Sequence, residues 1–462
     1  MLSAAGLSAS VHTFAGAPAA FREGASSLLG TALTDDGGME KLIHLCDRIG
    51  NRLAGSESLN RAIAWSADQM RSEGLVNVQT PPVKVPVWIR GTESAHLLVP
   101  NERELPMLGL GGSISTPPEG ITADVVVVES FAELDAMDSS KVEGRIVLFN
   151  AAYEGYGTSV RYRSSGASRA AEKGAVACLI RSVTPVSLQS PHTGGMRYDV
   201  DGKRIPAAAL TVEDAERLAR LQARGTTPRV RLRMEARTAP DADSANVFGE
   251  IVGSELPNEI VVMGGHIDSW DVGQGAQDDG SGCMAALQAV VICHKLGLKP
   301  RRTLRVCLWT NEENGLRGGN AYRQWSEAKG ERHVAAIEMD GGAERPIGFG
   351  IGLRTKVANP DQTLDALIAK LQPASALLQG INAGEILRGG GGADIGPLMA
   401  AGVPGLGLRT IGEKYFHWHH THADTVDKID LQDFRKCIAC LAVMGYFLAE
   451  MPEALGPVTA GV

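Results

Sequence analysis

The strongest constraint on the fold is an apolar run at residues 260–263, which a glycine-rich connection joins to a longer apolar stretch at 281–296. Four apolar residues between turn signals predict a buried strand, and the longer stretch predicts a helix. The pattern then repeats, with strands predicted at 303–309, 334–339 and 403–408 and helices near 319–325, 363–371 and 431–451. Such alternation predicts an α/β fold: a mixed, mostly parallel sheet with helices on both faces. Ligands of such sheets gather beyond the carboxyl ends of the strands.

Upstream, residues 39–49 read as a helix with Leu42, Ile43, Cys46 and Ile49 on one face. Ser56 offers an N-cap for a second helix to about residue 72, stopped near Gly74, with a turn at 51–56 between them. Strands are predicted at 76–88 and 94–99. From about residue 121 the style changes to short buried strands at 125–128, 145–149 and 176–180, with a helix at 167–173. Thr211 and Asp214 resemble a capping box opening a helix at 212–223, and 229–234 is a strand. Residues 238–245, rich in Ala, Asp and Pro, read as a linker. The expected organisation is a leader at 1–34, disordered or signal-like, and a first part of the main domain at 35–118. An inserted α/β module at 119–240, without obvious chemistry, then precedes the second part of the main domain at 241–455. Ala15-Gly16-Ala17 would suit a signal peptidase, although no Lys or Arg precedes Arg22.

Composition narrows the function classes. The 462 residues are 44% hydrophobic and 21% charged, ordinary for a soluble globular protein. The formal charge of -8 is spread along the chain, and no basic run would track phosphates, so nucleic acid is not expected as a partner. No stretch reaches the ~18 apolar residues of a membrane span. Seven cysteines, an odd number in mostly apolar contexts, suit buried thiols better than a disulfide framework. Cys437 and Cys440 sit in a helical pattern without a second pair, and no Asn-x-Ser/Thr sequon occurs.

Polar residues with metal-binding chemistry cluster at the predicted strand ends. His266 and Asp278 flank the glycine-rich connection, and imidazole and carboxylate are ordinary ligands of divalent metals. Asp268, two residues on, alternates back to the side of His266, where it would accept the second imidazole N–H and fix the tautomer. The strand at 303–309 exits into Glu312-Glu313, which point different ways. One can ligate while the other stands free as a base, the division of labour that hydrolysis requires. Asp340 follows the strand at 334–339, ahead of Gly341-Gly342. Residues 412–425 hold four of the eleven histidines within six positions. Each piece alone also reads as a solvated turn. Together they place carboxylates or imidazoles beyond consecutive strands of one sheet, which chance seldom arranges.

The stretch Gly265-His266-Ile267-Asp268-Ser269-Trp270-Asp271-Val272-Gly273-Gln274-Gly275, followed by Asp278-Asp279-Gly280, closely resembles the co-catalytic di-zinc family of aminopeptidases and glutamate carboxypeptidases. The likeness extends to Arg90-Gly91-Thr92-Glu93, Leu108-Gly109-Leu110-Gly111 and Ser190-Pro191-His192-Thr193-Gly194. The resemblance implies two zinc ions per chain, one held by His266 and Asp340, the other by Glu313 and His420, with Asp278 bridging. It makes Glu312 the general base and acid, Asp268 the orienter of His266, Asp279 the partner of a cis Asp278–Asp279 bond, and Asp424 part of the Asp-Thr pair four residues beyond the ligand His420. Zinc-bound hydroxide would attack the peptide bond next to a free terminus of a dipeptide or short peptide. The resemblance further implies a protease-associated-like inserted module, a homodimer, and a secreted or lysosomal destination, with a cytoplasmic one left open by the thin leader. Residues 388–394 are richer in glycine than the family's corresponding loop. Three alternatives stay open: an aminopeptidase acting on longer peptides, a receptor-like protein without catalysis, and a single-zinc acyltransferase.

Overall fold

The computed structural model describes residues 19–458 and contains two eight-stranded sheets joined by a two-stranded ribbon. In the first sheet Leu256–His266 lies between Arg302–Trp309 and Arg332–Glu338, all three parallel, and Gly405–Thr410 adds a fourth parallel strand beside Arg332–Glu338. Antiparallel Val247–Ile251 and Pro346–Gly352 flank this centre. Val76–Gln79 and Glu385–Arg388 form the edges.

The central strands are buried on both faces, and their side chains alternate between two cores. Val261, Met263, Leu304, Val306 and Leu308 enter one core with helices Ser281–Lys295 and Leu431–Glu450. Ile260, Val262, Cys307 and Trp309 enter the other, with Phe248, Tyr322 and Leu398. Every residue from Ser281 to Cys293 is buried, as expected of a helix apolar around its whole circumference.

Local signals in the sequence match the elements they predict. Ser56 Oγ accepts the Leu59 N–H at 3.1 Å and opens helix Glu57–Ser72, and Thr211 Oγ accepts the Asp214 N–H at 3.1 Å and opens Val212–Ala223. Three expectations need correction. Residues 19–34 are not a disordered leader: Ala19–Ala32 is a helix that buries Phe21, Ala25, Leu28 and Ala32, with Phe21 against the rings of Tyr446 and Phe447. Positions 21, 25, 28 and 32 form a helical stripe. Ala15-Gly16-Ala17 lies outside the described residues. Residues 238–245 are not a linker: Arg237–Ala245 pairs antiparallel with Pro82–Ile89, and Pro240 falls in the register shift between Ala239 and Ala242, where its missing N–H is tolerated.

The third correction concerns the second sheet, whose order is Arg103–Leu105, Glu93–Val99, Arg229–Met234, Ile121–Val128, Ile146–Phe149, Ala177–Arg181, Ala207–Leu210, Met107–Gly109. It therefore gathers strands from well before residue 119, the expected boundary. Glu93–Val99 and Met107–Gly109 pair with Arg229–Met234 and Ala207–Leu210, far along the chain, and periodicity carries no record of such pairing. The helix expected at 167–173 starts at Tyr156, behind Gly155 at φ 89°. No helix among the described residues is long and apolar enough to cross a membrane, and all seven cysteines are free and buried.

Candidate metal centre

The three parallel strands bring His266, the Glu312–Glu313 turn and Asp340 to one rim of the first sheet. Strand Gly405–Thr410 feeds the loop that carries His419 and His420. The loop between His266 and Asp278 is pinned from two sides. The fully buried Arg52 guanidinium donates from Nε to the Ile267 carbonyl (2.8 Å), from Nη1 to that of Gln274 (2.7 Å), and from Nη2 to that of Gly275 (3.0 Å). The Asp424 carboxylate accepts the N–H groups of Ala276, Gln277 and Asp278 at 3.2, 2.7 and 3.2 Å. Gly275 has φ 59°, and a Cβ there would fall 2.4 Å from the Ser269 side chain, so the turn requires glycine.

Asp278 lies between two imidazoles. Its Oδ1 is 3.2 Å from His266 Nε2, and its Oδ2 is 3.1 Å from His420 Nε2. Asp340 Oδ1 lies 3.6 Å from His266 Nε2, and Glu313 Oε2 lies 3.0 Å from His420 Nε2. Two donor sets thus share one carboxylate. Ligand atoms ~2.0–2.1 Å from a tetrahedral divalent ion stand about 3.3 Å apart, which is the spacing seen here. Asp278 Oδ2 and Glu313 Oε1 are buried and accept no hydrogen bond, as atoms reserved for a cation would be. His419 Nε2 also approaches Asp278 Oδ2, at 3.4 Å, but only His420 reaches both Asp278 and Glu313.

The electrostatics are those of a site in need of positive charge. Burial opposes charge on His266, yet the Asp278 and Asp340 carboxylates hold its pKa well above the usual imidazole value. His420 is raised in the same way by Glu313 and Asp278, against burial. Burial pushes the Asp278 carboxyl up, but the His266 and His420 imidazoles beside its two oxygens bring it well below the ordinary range. Burial raises Glu313 to about 6, and burial with the Asp340, Glu313 and Asp268 carboxylates lifts Glu312 well above the usual value. A divalent ion between these groups would supply positive charge and compete with protons for both imidazoles.

The neighbouring carboxylates are scaffold. Asp279 accepts the His266 N–H at 3.0 Å and the Gly282 N–H at 3.1 Å, and its peptide bond to Asp278 is cis. Asp268 departs from its expected role. Its backbone carbonyl accepts from His266 Nδ1 at 3.0 Å, which leaves Nε2 bare, while its carboxylate stays 4.0 Å from that nitrogen. The carboxylate instead accepts the Glu312 and Glu313 N–H groups at 3.0 and 3.3 Å and fixes their turn. An extended chain returns residue 268 to the side of residue 266, but the chain bends there and presents its carbonyl first.

The segment carrying the second sheet reaches this centre, although its sequence shows no obvious chemistry. Thr193 donates its N–H to the His420 carbonyl at 3.0 Å, and its own carbonyl lies 3.3 Å from His420 Nδ1. Arg163 Nη1 stands 3.4 Å from the same Nδ1, and its Nη2 donates to the Tyr156 hydroxyl at 2.7 Å. Arg90 grips Asp271 through Nε and Nη2. Sequence reading passed over Arg52 and Arg163, whose partners are remote backbone carbonyls and an imidazole. The Ser190–Gly194 and Arg90 stretches had been picked out only by resemblance. Between the two sheets lies a cleft of about 1080 Å³, lined by Glu312 and Asp340 on one side and by Tyr156, Arg163, Ser165 and Arg197 on the other.

Comparison with known proteins agrees with this geometry. Residues 246–444 match the model of peptidase family M28. The chain is 44% identical over 416 residues to carboxypeptidase Q of Xenopus laevis, covering 90% of this chain and 86% of that one, and 42% identical with the same coverage to carboxypeptidase Q of Homo sapiens. Among solved structures, a peptidase M28 precursor from Shewanella amazonensis superposes with a TM-score of 0.87 at 33% identity, covering 96% of this chain and 99% of its own. A zinc aminopeptidase from Bacillus subtilis, at 20% identity and a TM-score of 0.66, shares the fold over 91% of this chain and 96% of its own. With a centre of this construction and relatives this similar over nine-tenths of its length, the chain belongs to peptidase family M28.

Proposed function

We propose that the chain is a zinc-dependent exopeptidase that holds two zinc ions and cleaves dipeptides or short peptides next to a free terminus. The observation that carries this reading is Asp278, whose two oxygens face His266 and His420 at 3.2 and 3.1 Å. His266 and Asp340 would hold one ion, Glu313 and His420 the other, and Asp278 both. Zinc bound there supplies Lewis acidity to a scissile carbonyl and draws the pKa of a nearby water toward ~7.

The chain's own residues supply the rest. Asp268 holds the backbone of Glu312 and Glu313 so that one carboxylate faces the ligands and the other the cleft. Glu312 takes the proton of the attacking water and delivers it to the departing nitrogen, and burial holds its pKa above the usual carboxylate value. Asp279 and Asp424 keep the His266 and Asp278 backbones in place. The cleft between the two sheets limits access to short or terminal segments. On family resemblance, the second sheet is assigned as a protease-associated-like module, the protein as a homodimer, and its destination as secreted or lysosomal.

A library of dipeptides with free, amino-blocked or carboxyl-blocked ends, assayed with and without chelator, tests the reading. Hydrolysis of free dipeptides that disappears with chelator and returns with zinc is expected. Turnover that survives metal removal would overturn it, and a zinc content of one per chain would favour the acyltransferase alternative. Equal cleavage of carboxyl-blocked and longer peptides would convert it to a general aminopeptidase.

A further inference from the structure

The two sides of the cleft differ in charge. The metal side presents Asp278, Glu312, Glu313 and Asp340, four carboxylates that two divalent cations would only balance. A substrate carboxylate arriving there meets no surplus of positive charge. Positive charge sits on the remainder of the lining, in Arg163, Arg197 and Arg317.

Two of those guanidiniums are committed. Arg163 is buried and spends its N–H groups on the Tyr156 hydroxyl and the Gly195 and Thr193 carbonyls, beside His420. Arg317 pairs with Asp241 and also donates to the Lys84 carbonyl. Arg197 is exposed, and among the described residues its guanidinium has neither an ion pair nor a hydrogen bond. Its backbone N–H donates to the Ser164 carbonyl at 3.0 Å, which ties it to helix Tyr156–Glu172 where Ser164 and Ser165 line the same cleft. An exposed arginine is ordinarily just solvated. This one is the sole uncommitted permanent cation in a lining that otherwise presents four carboxylates beside the His419 and His420 imidazoles, and a planar guanidinium matches a carboxylate in a two-bonded fork.

We infer that Arg197 is the specificity residue for the free α-carboxylate of the substrate, with Ser165 beside it, so that a dipeptide spans the cleft from the metal side to the second sheet. This assignment rests on the exopeptidase reading above and gives it a polarity. It makes the second sheet part of the substrate site.

The test compares zinc-loaded wild type, Arg197→Gln and Arg197→Lys on Gly-Leu, Gly-Leu carboxamide and Gly-Glu, by kinetics and by calorimetric binding of each peptide to Glu312→Gln protein with and without the Arg197 change. Arg197→Gln should raise KM for Gly-Leu about 10- to 100-fold, the loss of one charge-assisted pair, with kcat within a few-fold and zinc content unchanged. The carboxamide should be bound equally poorly by all three, and Arg197→Lys should recover part of the loss. An equal effect on Gly-Leu and its carboxamide, or none on either, overturns the assignment. A loss confined to Gly-Glu overturns it in favour of side-chain recognition. Selective binding of Gly-Leu through Arg197 without any hydrolysis by zinc-loaded wild type would sink the exopeptidase reading while upholding the subsite.

Discussion

Both sheets end their parallel strands at a cavity, and only one of those cavities carries a reactive constellation. In the second sheet, strands Ile121–Val128, Ile146–Phe149 and Ala177–Arg181 open onto a crevice of about 660 Å³ lined by Glu129, Asn150, Arg161, Arg181, Glu216 and Arg220 among others. Its charges alternate in sign and neutralise one another, as in the Arg181–Glu216 and Arg220–Glu216 pairs at 3.1 and 3.5 Å. At the first sheet like-signed carboxylates crowd together with imidazoles between them, and every grouping of metal-ligating side chains among the described residues lies there. The topology supplies a crevice in each case. What the rim residues leave uncompensated decides which crevice does chemistry.

Substitutions on the two rims should differ sharply in effect, and the largest effect belongs to the Asp278 carboxylate. Asp278→Ala should lose both zinc and activity to background in metal analysis and dipeptide assays; a wild-type zinc content would contradict bridging. Glu312→Gln should keep its zinc and lose turnover by about 10²- to 10⁴-fold, and retained turnover would remove Glu312 from proton transfer. Arg163→Gln should weaken zinc affinity about 10- to 100-fold, because Arg163 holds the Thr193 carbonyl that faces the outer nitrogen of His420, a proposed ligand. Unchanged affinity would reduce the second sheet to a cover.

Effects of pH follow from the same crowding. Burial raises Glu313 to about 6 and Asp424 to about 7 in the folded state. Groups with raised folded pKa values stabilise the fold below their unfolded values near ~4, and that contribution is lost as pH climbs through 6 to 7. Metal-free protein should therefore lose thermal stability between pH 5 and 8. Zinc, which competes with protons, should widen the gap in Tm between loaded and stripped protein over the same interval. A constant gap would show that the acid cluster is not where zinc binds. The smallest effect is expected at the other crevice: Arg181→Ala should leave zinc content and kcat within twofold and cost about 1 kcal/mol, since its Glu216 partner is half-exposed.

The sequence made some of this architecture legible and hid the rest for identifiable reasons. Ser56 and Thr211 announce helices because a cap acts on a backbone three residues away. His266, Glu312, Glu313 and Asp340 are visible because each follows an apolar run that must be a strand. Arg52 and Arg163 are invisible because their partners are carbonyls and an imidazole remote in the chain, and nothing local marks a buried arginine. Asp268 was placed on the correct side of His266 but assigned the wrong atom, since alternation gives the direction of a side chain and not the path of the next peptide group. The strand Arg237–Ala245 reads as a linker because it is mostly exposed and so has the composition of a loop.

The most direct measurement is diffraction from zinc-loaded crystals at the zinc absorption edge. Two anomalous peaks roughly 3.5–4 Å apart, one on each side of the Asp278 carboxylate, are predicted, the first beside His266 and Asp340 and the second beside Glu313 and His420. A single peak, or peaks remote from Asp278, would contradict the account.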